Sequence, residues 1–290
     1  MTAVLRADGL TKRYGRRVAL AGCTLALPPG RVVGLVGPNG AGKTTLLQIA
    51  AGIQRPSSGA IEVLGGRPAA RADQLARVGF VAQNTPTYAH LTVGAHLHLG
   101  RHMNPRWDTD VAAERVRRLR LDPQQKAGKL SAGQRAQLAL TLAMAKRPDL
   151  LILDEPVASL DPLARREFLQ SLMEFIADHR ASVVLSSHLV SDLERVCDYL
   201  VILVASRVRV AGDVDELLST HFRLTGPRQD AATLPAGVRI IEQSHTDRQS
   251  SFIVHTTEPP PDDAWSVEKL GLEDLVLAYM ANDTASEEQR

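Results

Sequence analysis

The stretch Gly37-Pro38-Asn39-Gly40-Ala41-Gly42-Lys43-Thr44-Thr45 constrains this chain more than any other feature. It fits a complete phosphate-binding loop, and such a loop needs a strand before it and a helix after it. Residues 31–36 read as a buried strand and residues 44–51 as a helix, so strand, loop and helix follow in the required order. Glycines let backbone N–H groups wrap a polyphosphate without Cβ clashes, and the helix N-terminus adds a partial positive charge aimed at the same anion. Lys43 is then placed to reach the terminal phosphates and Thr44 to ligate Mg²⁺ through its hydroxyl. The competing reading is a plain glycine turn, against which the flanking elements weigh.

A length of 290 residues allows one large domain, or one domain plus a smaller appendix. Hydrophobic residues at 44% and charged residues at 23% are those of an ordinary globular protein. Lys+Arg 34 against Asp+Glu 32 is close to balance, which weighs against nucleic acid as the main ligand. Cys23 and Cys197 stand far apart, so neither a disulfide framework nor a zinc site is suggested, and a reducing cytoplasm fits. The longest apolar runs, such as residues 199–205, are strand-sized and far short of a membrane span. Residues 1–8 are interrupted by Asp8 and do not read as a signal peptide. A membrane role therefore has to come through a partner chain.

Short extended pieces at residues 3–7, 19–27 and 60–64 suggest a small antiparallel sheet, with a turn at residues 55–59. Residues 78–82 read as a buried strand ending at Gln83. Residues 91–145 change to a helical period, strongly amphipathic over 108–121 and rich in Ala and Leu over 134–146. Core strands resume at 149–153 and 182–185, separated by a helix over 162–177. That alternation predicts a mostly parallel sheet covered on both faces. Around residue 220 the character shifts to strands at 222–225, 238–243 and 251–256. A terminal helix within 265–280 follows, then a polar, frayed end over 281–290. The chain thus divides into a nucleotide-binding domain, 1–220, and a small α+β domain, 221–290. No internal repeat is visible, so it carries one nucleotide module.

Two further motifs carry chemistry. Residues 150–155 form an apolar strand ending in two acids. Burying that strand puts Asp154 at its carboxyl end beside the phosphate loop, where it can hold the Mg²⁺ water shell. Glu155 is placed to polarise an attacking water as general base. A solvated acidic pair is the alternative. Leu130-Ser131-Ala132-Gly133-Gln134 precedes a long helix, and by itself could be an N-cap built on Ser131.

With these motifs in this order, the chain closely resembles the ATP-binding-cassette (ABC) ATPases, whose LSGGQ signature it matches at four of five positions. The resemblance covers about residues 5–220. It implies an α/β P-loop NTPase fold with a mostly parallel core sheet, a small antiparallel sheet and a helical subdomain, binding ATP and Mg²⁺. Tyr14 resembles the aromatic that stacks on adenine, or is a surface tyrosine of the N-terminal sheet. Gln83 resembles the glutamine that touches Mg²⁺ and the attacking water and senses the membrane subunit, or is a polar strand end. His188 resembles the histidine that contacts the γ-phosphate. Ser159-Leu160-Asp161 resembles the loop that crosses the dimer interface, though Asp161 could simply start the helix at Pro162. Ala132 departs from the family's glycine. Alanine is harmless there if the residue is helical and costs about 1 kcal/mol or more if it needs positive φ.

In that family one subunit supplies the phosphate loop, Asp154, Glu155 and His188. The signature residues Ser131, Ala132, Gly133 and Gln134 of a second subunit meet the same γ-phosphate. The resemblance therefore implies a homodimer or a heterodimer with a sister ATPase, closed by ATP and opened by hydrolysis. Residues 84–93 look like the family's docking surface for an integral membrane permease, against the reading of an ordinary surface loop. Residues 271–280 resemble the terminal helix of drug-efflux-type exporter ATPases, which points to export. Together these place the chain in the cytoplasm, peripheral on the inner face of the membrane. Arg115, Arg117, Arg118 and Arg120 interleave with apolar residues and read as a solvated helix face, not a nucleic-acid patch. A soluble cassette ATPase acting on ribosomes or DNA is the second class. Members of that class usually carry paired cassettes or a long coiled-coil insertion, and neither is seen. A regulator without catalysis is the third, and the presence of Glu155, Gln83 and His188 argues against it.

Overall fold

The computed structural model describes residues 3–85, 87–228, 234, 238–257 and 265–287, with side chains described as far as residue 281. Strands β1 (Leu5–Tyr14), β2 (Arg17–Leu27) and β4 (Ser58–Val63) form an antiparallel sheet in the order β2-β1-β4. The second sheet runs in the order β5 (Val78–Val81), β6 (Leu150–Asp154), β7 (Ser182–Ser187), β3 (Val32–Val36), β8 (Tyr199–Val204) and β9 (Arg207–Asp213). Every neighbouring pair in it is parallel except β8 with β9.

Strands β3, β6 and β7 are buried at every position, which is why they read as continuous apolar runs and not as alternations. Their side chains divide between two cores. Val33, Leu35, Leu150, Ile152 and Val184 pack with helix α1 (Lys43–Ala50) and the antiparallel sheet. Val32, Val36, Leu151, Leu153, Val183 and Leu185 pack under α5 (Ala132–Ala145), α6 (Pro162–His179) and α9 (Leu272–Glu287). The carboxyl ends of β6, β7 and β3 therefore emerge in a row between two covered faces, where α/β sheets place ligands.

The helical block comprises α2 (Ala72–Ala76), α3 (Val93–Met103) and α4 (Thr109–Arg118), followed by α5. Val93, Val116, Leu121 and Leu138 form its own small core. Helices α7 (Val190–Leu193) and α8 (Val214–Thr220) lie beside the later strands.

The third sheet is antiparallel, in the order β11 (Arg239–His245), β12 (Gln249–His255), β10 (His221–Pro227) and β13 (Ser266–Lys269). Its faces alternate as a half-buried sheet requires: Leu224, Phe252 and Val254 pack on Trp265, while Ile241 and Ile253 join the core under α9. Two expectations are adjusted here. Residues 266–269 form an edge strand before the terminal helix, and that helix runs through Glu287, so residues 281–287 are helical. Ala281, Ala285 and Glu287 are good helix formers within that segment. The expected frayed residues 288–290 lie outside the described residues.

Candidate nucleotide site

The phosphate loop is set by its neighbours as much as by any ligand. A Cβ on Gly37 would stand 2.0 Å from the Leu203 carbonyl oxygen, and one on Gly42 would stand 2.2 Å from that of Ala19. Gly42 also caps α1 with φ at 107°, a region that favours glycine. Gly40 at the loop tip has φ at 85° and meets only the Arg17 guanidinium, so its backbone is free to approach an anion. Ala41 is buried and donates its N–H to the Pro38 carbonyl at 3.2 Å. Asn39, Thr45 and Tyr14 line a cavity of about 300 Å³ together with Arg17, Lys43, Thr44, Gln83 and Glu155.

Lys43 is 5% exposed and folds back on its own loop, donating to the carbonyls of Gly37 at 2.7 Å and Pro38 at 3.3 Å. Its Nζ also lies 3.4 Å from Glu155 Oε1. The other oxygen, Glu155 Oε2, accepts from Gln83 Nε2 at 3.3 Å and lies 3.3 Å from His188 Nδ1. One carboxylate therefore gathers residues from the phosphate loop, the end of β5 and the end of β7. Glu155 sits at φ 44°, a left-handed conformation costing a non-glycine residue about 1–2 kcal/mol. Its N–H donates to Ser186 Oγ at 2.9 Å, which holds the turn.

Asp154 is buried, and its Oδ1 accepts from Thr44 Oγ1 at 3.1 Å and Ser186 Oγ at 2.9 Å. Burial, aided by the Glu155 charge, pushes its pKa up against the opposing pull of the two hydroxyl donors. Ser186 is a residue the sequence reading missed. Its position opposite Asp154 in the β6–β7 register is a cross-strand fact that no local motif contains. Arg17 belongs to none of the motifs above, yet it puts a cation on the cavity wall. Tyr14 is 45% exposed at the cavity edge, with its hydroxyl donating to Gln54 Oε1 and Lys12 Nζ 5.1 Å above its ring.

The signature residues lie elsewhere in this chain, since none of Ser131, Ala132, Gly133 and Gln134 lines the cavity. Ser131 Oγ accepts the Gln134 N–H at 3.1 Å, and Gln134 Oε1 accepts the Ser131 N–H at 3.0 Å, a complete capping box for α5. Ala132 is the first residue of α5 and has no positive φ, so alanine is the harmless case. Gly133 is a close-packing glycine, because a Cβ there would stand 2.9 Å from Ala164 of α6. Asp161 caps α6, its Oδ1 accepting the N–H groups of Leu163 and Ala164, each at 3.0 Å.

In the segment 84–93, Pro86 lies outside the described residues and Tyr88 is exposed. The Tyr88 N–H donates to the buried His96 at Nε2, 3.0 Å, and His96 Nδ1 lies 2.8 Å from the Thr92 carbonyl, so this histidine ties the segment to α3. The arginine cluster corrects the reading of a wholly solvated face. Arg115 donates to Thr141 Oγ1 and Gln137 Oε1 on α5, buried enough that its pKa falls to about 10. Arg118 pairs with Glu174 of α6 at 2.7 Å, and Arg117 pairs with Glu114. Helical periodicity gives the face of a residue but not the neighbouring helix that covers it. No helix among the described residues is long and apolar enough to cross a membrane.

A phosphate loop at the end of a central parallel strand, with a buried aspartate and an adjoining glutamate on the next strand but one, defines a P-loop nucleotide-binding domain. A family model described as ABC transporter matches residues 20–158. The Fe(3+) ions import ATP-binding protein of Rhodococcus jostii (strain RHA1) is 34% identical over 227 residues, which is 76% of this chain and 65% of that protein. The Nod factor export ATP-binding protein I of Cupriavidus metallidurans is 35% identical over 230 residues, 77% of this chain and 75% of that one. A solved structure of an ATP binding subunit of an ABC transporter aligns with a TM-score of 0.66 at 29% identity, covering 74% of this chain and 91% of the other. The chain belongs to the ABC transporter family, as one of its ATP-binding subunits. It spans just under two thirds of the iron-import relative's length. Names for import predominate among the relatives, so the export direction expected from residues 271–280 gains no support from them.

Proposed function

We propose that this chain binds and hydrolyses ATP to energise transport through a separate membrane permease, by ATP-driven closing and opening of a dimer. The observation that carries the reading is the Glu155 carboxylate, with Oε1 on Lys43 and Oε2 on Gln83 and His188. Asp154 and Thr44 fit Mg²⁺: two hard oxygen donors stand 3.1 Å apart at the helix start, beside the phosphate loop. Bound there, the ion would offset phosphate charge. Lys43 exchanges its two loop carbonyls for phosphate oxygens, which frees Glu155 Oε1 to accept a proton from the attacking water. Gln83 and His188 keep the opposite oxygen oriented, and Arg17 adds positive charge at the cavity wall.

Ser131, Ala132, Gly133, Gln134 and Asp161 act on the nucleotide held by a second copy or a sister subunit. Their absence from the lining of this chain's own cavity and the cap-ordered N-terminus of α5 support that division. Residues 84–93 dock the permease, with the subunit peripheral on the inner membrane face, and residues 221–290 form an accessory domain. Arg115 and Arg118 are engaged within the fold, which disfavours the reading of a cassette acting on ribosomes or DNA.

Glu155→Gln is expected to slow phosphate release at least about 100-fold while ATP binding persists and the dimer stays closed. Near-normal turnover by that variant would overturn the base assignment. Native purification should bring down an integral membrane protein; pelleting with ribosomes or DNA in the absence of one would overturn the transport reading.

A further inference from the structure

Helix α3 carries His98 and His102 on its solvent side, both exposed. Side chains at i and i+4 are neighbours on a helix surface, and here the two ring centroids lie 4.2 Å apart with their planes inclined at 44°. Two imidazoles bound side by side to one ion, at about 2.0–2.1 Å per nitrogen, hold their centroids about 4–5 Å apart. The observed ring separation lies near that value.

The protonation pattern agrees. His102 Nδ1 lies 2.8 Å from the His98 carbonyl oxygen. A carbonyl only accepts, so Nδ1 carries the proton and Nε2 keeps its lone pair. Metal-binding histidines are characteristically oriented by such a bond from the other ring nitrogen. His96 on the same helix is the contrast, because it donates from Nδ1 to Thr92 and accepts at Nε2 from Tyr88, leaving no nitrogen for a metal.

Chemistry also selects the class of ion. Two neutral nitrogens suit Zn²⁺, Ni²⁺ or Cu²⁺, while Mg²⁺ and Ca²⁺ demand oxygen ligands. Among the described residues no group of three or more His, Cys, Asp or Glu forms a metal cluster, so the remaining positions are open to water or to a partner's side chain. Leu99 and Met103, both exposed, flank the pair.

We propose that His98 and His102 form a two-histidine site for a divalent transition-metal ion on the outer face of α3, separate from the Mg²⁺ position at Asp154 and Thr44. The site rests on α3 alone and stands whether or not the chain drives transport.

The test is calorimetric titration of the full, nucleotide-free chain at neutral pH with Zn²⁺ or Cu²⁺ alone. The expected result is one ion per chain, not displaced by excess Mg²⁺ and removed by a chelator. His98→Ala and His102→Ala should each weaken binding about ten-fold or more, because each removes half of a chelate. His90→Ala and His179→Ala should leave it unchanged. Alanine favours the helix at the exposed positions 98 and 102, and far-ultraviolet circular dichroism verifies the fold of each variant. Unchanged binding in the double variant, equal loss in His90→Ala, or displacement by Mg²⁺ would each overturn the proposal.

Discussion

The carboxyl of Asp154 is 1% exposed, and burial, with the Glu155 charge beside it, holds its pKa above the usual carboxylate range. A carboxyl whose folded pKa lies above its unfolded value binds its proton more tightly in the fold. Its ionisation therefore removes stability as pH rises from the unfolded value through the folded one. Asp154→Asn keeps an acceptor for Thr44 and Ser186 and removes the charge. The melting temperature of the nucleotide-free variant should exceed that of the wild type at neutral pH, with the gain shrinking toward about pH 4, while Mg²⁺-dependent turnover is lost. A variant that melts lower at neutral pH would contradict this account of the site. At this scale the contiguous motifs were legible: Lys43, Thr44, Asp154 and Glu155 stand where the sequence put them. Ser186 and Arg17 were not, because the first acts through the β6–β7 register and the second through the fold of the loop over β2.

The start of α5 concentrates several devices in four residues. Ser131 and Gln134 close a capping box, Ala132 is helical, and Gly133 lets α6 approach. Ser131→Ala should cost about 1 kcal/mol through loss of the cap, read as a lower urea midpoint at unchanged slope. Ala132→Gly, which restores the family's more common residue, should destabilise by about 0.5–1 kcal/mol, since glycine at a helical position loses more backbone freedom. A stabilised Ala132→Gly variant would mean that this residue does not sit in right-handed helix. Elements buried on both sides were legible as apolar runs, as in β3, β6 and β7. Strands β9 and β13 were not, for β9 has no buried residue and β13 is a short edge strand with no strong pattern to read.

The change in composition near residue 220 was legible, but not what the later residues do next. Helix α9 returns to pack Leu275, Val276 and Ala278 in the same core as Leu200 and Ile202 of β8, a contact that no local pattern announces. His221 joins the two parts: its ring is 0% exposed, Nδ1 lies 2.7 Å from the Leu217 carbonyl of α8, and Nε2 lies 2.9 Å from the Tyr279 hydroxyl of α9. The neutral ring satisfies both contacts, donating from Nδ1 and accepting at Nε2. Burial lowers its pKa, and the His255 ring 4.8 Å away and Arg239 act in the same direction. A histidine whose folded pKa is depressed contributes stability above the unfolded value of about 6.5 and loses it as pH falls below that value toward the folded one. Stability of the wild type should therefore drop between about pH 7 and pH 5, and His221→Leu, though less stable throughout, should show a shallower drop over the same window. Tyr279→Phe leaves Nε2 a buried acceptor without a donor and should cost about 1–3 kcal/mol at neutral pH. Equal pH slopes in wild type and His221→Leu would place the acid sensitivity elsewhere. A neutral Tyr279→Phe would mean that the His221–Tyr279 hydrogen bond does not hold the terminal helix.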